Sequence, residues 1–83
     1  MRNFTVKTLN EFEKNGKYYA LLAISIGDSK AFCIFACDGE SVLEGLGSEE
    51  EHAKDMFLKI VRAEASIIQI GEIISDMKYE IFA

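Results

Sequence analysis

The chain has no proline, no tryptophan, one histidine, two cysteines and nine basic residues in 83. Each scarcity excludes something. Two cysteines cannot build the disulfide framework of a small secreted scaffold. One histidine beside two cysteines falls short of the four ligands of a structural zinc site. Nine Lys and Arg against fourteen Asp and Glu leave a formal net charge of −5. That balance argues against direct nucleic-acid binding through phosphate neutralisation. The longest stretch without a formal charge, 18–27, is far shorter than a membrane span. The first residues, Met1-Arg2-Asn3-Phe4-Thr5-Val6-Lys7, put Lys7 and Asn10 where a signal peptide has its apolar core. The expectation is a cytoplasmic protein with no membrane partner and no cofactor.

What is present is hydrophobic side chain: 49% of the residues, including six Phe and three Tyr. That content is too high for intrinsic disorder. Eighty-three residues make a single domain, 1–83. A domain this small hides only roughly 60% of its unfolded surface. Such chains often lean on a metal, a disulfide or a second subunit.

The first half alternates with the period of a strand. Phe4, Val6, Thr8, Asn10 and Phe12 share one parity, and Thr5, Lys7 and Glu11 the other. Leu9 breaks the alternation, which marks a bulge or slip near Thr8-Leu9. Asn15-Gly16 between two apolar runs predicts a tight hairpin, because a type I′ turn needs positive φ at both central residues. In the next strand Tyr18, Ala20, Leu22, Ile24 and Ile26 face one way, and Tyr19, Leu21, Ala23 and Ser25 the other. After a turn at Gly27-Asp28-Ser29-Lys30, Phe32, Ile34 and Ala36 oppose Cys33, Phe35 and Cys37. A second turn at Asp38-Gly39-Glu40-Ser41 leads to a short fourth strand, which Gly45 weakens.

The second half carries a helical period. Ser48-Glu49-Glu50-Glu51 reads as a capping box, with acids suited to the positive end of the helix dipole. Ala53, Met56, Phe57, Ile60 and Val61 form one apolar stripe. Ser66-Ile67-Ile68-Gln69 is a second capping box. Ile67, Ile70, Ile74, Met77 and Ile81 follow as a stripe, with Ile73 beside it. Gly71 inside this helix predicts a close approach to a neighbouring element. The fold class is therefore α+β. A four-stranded antiparallel meander (strands near 3–13, 17–27, 30–38 and 42–46) precedes two helices (near 49–64 and 67–81). Two short helices cover one face of a sheet, yet the second and third strands are apolar on both. Either the helices flank the sheet, or a partner covers the rest.

The Lys-flanked Asn15-Gly16 hairpin, the apolar second strand, the short strand running into Ser48 and its acids, and the final Ser66-Ile67-Ile68-Gln69-Ile70-Gly71-Glu72-Ile73-Ile74-Ser75-Asp76 helix together resemble a small family of clostridial-type bacteria, domain of unknown function 6514. The likeness covers most of the chain. It departs at the last helix, where a Pro-Ile-His-Leu-type start would be expected and Ile67-Ile68-Gln69 stands. The resemblance implies a small cytoplasmic bacterial or prophage protein and carries over no functional residue.

Candidate chemistry is sparse. His52 sits off the apolar stripe, and a general base needs a pocket and a nucleophile within reach. A Cys–His pair would require His52 to meet Cys33 or Cys37. The two cysteines share a strand face roughly 13 Å apart, too far to bridge each other, and read as reduced structural residues. Glu49, Glu50, Glu51 and Asp55 fan around a helix and do not converge on a calcium ion. Gly45-Leu46-Gly47-Ser48 enters a helix as an anion site would, but the acids that follow repel phosphate. No catalytic and no metal-binding residue is assigned.

Charge segregation stands out. Residues 38–55 hold seven acids and one lysine, a net of −6, whereas residues 1–37 net +2. An acidic ledge of Glu44, Glu49, Glu50, Glu51 and Asp55 is expected to meet a basic protein partner. Self-association is expected through Tyr19, Leu21, Cys33 and Phe35. The reading is a small non-catalytic binding or regulatory protein that acts by protein–protein contact and forms a homo-oligomer. The alternative is a phage- or mobile-element-encoded inhibitor of a host defence system, an acidic mimic or nucleotide-binding sponge. A small-molecule binder would place its ligand at a subunit interface beside Tyr18 and Tyr19.

Overall fold

The computed structural model describes the backbone of residues 4–82 and the side chains of residues 4–75. Four strands, β1 (Phe4–Lys14), β2 (Lys17–Ile26), β3 (Ser29–Asp38) and β4 (Glu40–Gly47), are followed by α1 (Glu50–Arg62) and α2 (Ile67–Phe82). The strands form one antiparallel sheet in the order β1-β2-β3-β4. This is the expected α+β meander.

The turns follow from their residues. Asn15 and Gly16 both take positive φ, 53° and 79°, as a type I′ hairpin demands. Lys14 pairs with Lys17 across it. Ile26 pairs with Ser29, leaving the two-residue turn Gly27-Asp28 with Gly27 at φ +59°. In β1 the register shifts between Thr8 and Asn10, so the expected bulge lies at Leu9. It has a consequence for the whole strand. Phe4, Val6 and Thr8 pair with Ile26, Ile24 and Leu22, but Asn10 and Phe12 pair with Leu21 and Tyr19. One sequence parity is thus split between the two faces of the sheet.

Both helices lie on one face. α1 packs across β2, β3 and β4, and α2 across β3 and β4. The core between the layers holds Tyr19, Leu21 and Ala23 of β2, Phe32, Ile34 and Ala36 of β3, and Leu46 of β4. Against them lie the whole α1 stripe of Ala53, Met56, Phe57, Ile60 and Val61, together with Ile70 and Ile74 of α2. Burying each large side chain contributes about 1.5–3 kcal/mol. Met77 and Ile81 lie outside the described side chains. β1 sits at the rim, where only Leu9 reaches the core. The shortest dimension is 19 Å, room for one sheet and one helix layer.

Three local expectations fail. The capping box at α1 does not form: the N-cap is Glu49, with no side-chain bond, and Ala53 N–H donates to the Glu49 carbonyl at 3.0 Å. Gly47 at φ +89° turns the chain out of β4, and the helix starts one residue beyond the frame that Ser48 would cap. Among the described residues Gly71 has no close neighbour, since a Cβ there would meet nothing within 4 Å. Tyr19 and Leu21, expected on a self-association face, are buried under the helices at 2% and 1% exposure. The second capping box does form: Ser66 N–H donates to Gln69 Oε1 at 2.9 Å and Gln69 N–H to Ser66 Oγ at 3.3 Å.

Candidate functional site

The sheet face away from the helices is assembled by the pairing register. Tyr18 lies opposite Cys37, Ala20 opposite Phe35, Leu22 opposite Cys33, and Ile24 opposite Ala31. β1 adds Phe4, Val6 and Thr8 at one end and, beyond the bulge, Glu11 and Glu13 at the other. β4 adds Leu43 opposite Phe35 and Gly45 opposite Cys33. Phe4, Val6, Ile26 and Leu43 are 65%, 52%, 46% and 56% exposed. Leu22, Ile24, Cys33 and Phe35 are half-buried on it. Tyr18 and Phe35 meet edge to face, ring centroids 6.2 Å apart. Among the described residues the charges on this face are Glu11 and Glu13, both in one corner.

Partial burial raises the Tyr18 hydroxyl above its ordinary pKa, and the carboxylates of Glu11 and Glu13 push it further. Burial likewise raises the Cys33 thiol, which keeps it protonated and weakly nucleophilic at neutral pH. Cys33 and Cys37 are both free and both on this face. His52 is half-buried on α1, on the opposite side of the sheet. The structure therefore does not bring a Cys–His pair together. Among the described residues no group of three or more His, Cys, Asp or Glu converges as a metal set, and no helix is long and apolar enough to cross a membrane.

The acidic residues separate into two kinds. Glu49, Glu50, Glu51 and Asp55 are exposed at the start of α1, while Glu44 is half-buried on β4. Lys54 pairs with Glu50 at 3.0 Å. That contact holds the Glu50 carboxyl below the usual carboxylate range, with Lys30 and Lys7 adding to the effect. It also raises the Lys54 ammonium. The ledge is thus partly neutralised, chiefly by Lys54 one turn along the same helix.

Two features were not legible beforehand. A cleft of about 110 Å³ opens between the bulge and α1, lined by Leu9, Asn10, Leu21, Lys54, Phe57 and Leu58. It is well under the ~300 Å³ of a small-molecule site. The other is a clasp between the first hairpin and the α1–α2 loop. Lys17 Nζ donates to the Glu64 carbonyl at 3.0 Å, and the buried Tyr19 hydroxyl donates to the Ala65 carbonyl at 2.8 Å. Asn15 Nδ2 donates to Glu64 Oε1 at 3.3 Å, and Lys14 lies 3.8 Å from Glu64 Oε2. Burial, then Asp38 and Glu64, raise the Tyr19 hydroxyl above its ordinary pKa, so it stays protonated and able to donate. The signal that could have found this clasp was the lysine pair around Asn15-Gly16.

Comparison with protein-family models, curated proteins and solved structures gave no match.

Proposed function

We propose that this chain is a small non-catalytic binding or regulatory protein that works by protein–protein contact and self-association. The observation that supports this reading is the open sheet face, apolar from Phe4 and Val6 on β1 to Leu43 on β4. Monomeric proteins rarely expose contiguous apolar patches of more than a few hundred Å². Of the residues expected to carry self-association, Cys33 and Phe35 belong to this face. Light scattering across a dilution series tests the reading. A mass rising from 9.3 kDa toward a multiple of it with concentration supports self-association. A constant single-chain mass up to high micromolar concentration counts against it.

The acidic ledge supports a second contact, with a basic partner, because Glu49, Glu51 and Asp55 remain exposed beside the paired Glu50. Such a contact weakens with salt as the Debye length falls below about 8–10 Å. Replacing Glu49, Glu51 and Asp55 with Gln or Asn leaves the Glu50–Lys54 pair in place and should weaken binding of a basic probe such as polylysine. Equal binding at low salt would leave the ledge as a solvated helix start.

A further inference from the structure

We infer that the open face is covered by a second copy of the same chain, sheet against sheet, so that two chains form a four-layer helix–sheet–sheet–helix sandwich. This rests on the self-association reading and adds the occupant and its geometry. The size is right. Four strands about 4.8 Å apart and some nine residues long give a face of roughly 19 by 30 Å. That is on the order of the ~800 Å² per partner in a standard interface.

The chemistry selects a second copy rather than another region of the same surface. The outer helix layer presents Glu51, Lys54, Asp55, Lys59 and Arg62 to solvent. Stacking the apolar face on that layer would strip water from charges, and head-to-tail contacts of this kind do not close at two. Face against face, apolar meets apolar and the symmetry closes. Glu11 and Glu13 occupy one corner of the face, at the rim where carboxylates keep their water. Growth of the sheet through β1 is disfavoured instead. Its free edge is broken by the bulge at Leu9 and carries Lys7 and Lys14, features that blunt strand pairing.

Cys33 and Cys37 report on the inference without any label, because both half-exposed thiols lie on the face in question. N-ethylmaleimide should alkylate them at least ~10-fold more slowly at concentrations where the mass has doubled than in the dilute single chain. The double variant Val6→Lys, Leu43→Lys changes two exposed side chains at opposite edges of the face, so the single chain should keep its fold, checked by circular dichroism. It should raise the dissociation constant by at least ~10-fold and restore fast alkylation at concentrations where the parent is protected. If the parent doubles in mass with its thiols unprotected, this geometry is wrong while self-association stands. A single-chain mass at every concentration overturns both. Should the variant fail to fold, the parent's thiol rates still decide.

Discussion

Glu64 sits at φ +48°, a left-handed conformation that strains any residue with a Cβ. It occupies the first position past the C-cap Ala63. Its N–H donates to the Val61 carbonyl at 3.0 Å, and the Ala65 N–H donates to the Ile60 carbonyl at 3.2 Å. That is the Schellman pattern, where glycine is the usual occupant. A glutamate stands here because its side chain meets Lys14 and Asn15 on the first hairpin. Exposed pairs of this kind contribute only about 0–1 kcal/mol, close to what the backbone strain costs. Glu64→Gly should therefore leave stability nearly unchanged. Glu64→Ala loses the same contacts and keeps the strain, so it should be less stable than Glu64→Gly by about 1 kcal/mol in urea unfolding. Equal stability of the two variants would mean that the loop is not held left-handed. Tyr19→Phe removes a buried hydrogen bond to the Ala65 carbonyl and should cost about 1 kcal/mol. Because Tyr19 lies under the helices, the same change should leave self-association intact.

Among the elements, the two helices begin differently, although both start with a Ser-x-x-Glu/Gln sequence. Ser66→Ala breaks a reciprocal cap and should cost about 1 kcal/mol, whereas Ser48→Ala should change stability by less than ~0.3 kcal/mol. Thermal unfolding of the two variants distinguishes them. Gly71→Ala should stabilise the chain by about 0.5–1 kcal/mol, because no described residue opposes the new methyl and the helix gains propensity. A loss on that substitution would show a neighbour close to Gly71. The strands, the Asn15-Gly16 hairpin, the bulge at Leu9 and the α1 stripe were legible in the sequence because each is a local matter of period or turn chemistry. The start of α1 was not. The sequence pattern cannot distinguish Ser48 from Glu49 as the cap when the deciding residue is Gly47, whose left-handed turn fixes where the helix can begin. Which residues of β2 and β3 share a face follows from loop length. A connection of two or four residues after Ile26 sets odd positions of β2 against even positions of β3. Tyr19 and Leu21 could therefore never share a face with Cys33 and Phe35.

At the scale of the whole molecule, folding rearranges what the chain order separates. Residues 38–55 are strongly acidic as a segment, yet Lys30 and Lys7 from the basic first half add a weaker attraction at Glu50, behind its pairing with Lys54. Which sheet face the helices would take was not readable either, since β2 and β3 are apolar on both. The helices cover one face, and the proposed second copy covers the other. Small-angle scattering of the concentrated protein tests that claim most directly, because the single chain is a slab of 39 × 33 × 19 Å. Stacking two sheets face to face adds only to the 19 Å dimension. The pair should remain nearly isometric, with a radius of gyration rising from 12.9 Å to about 16 Å. A doubled mass with a radius near ~21 Å, as two slabs side by side with centres 33 Å apart would give, would contradict the account.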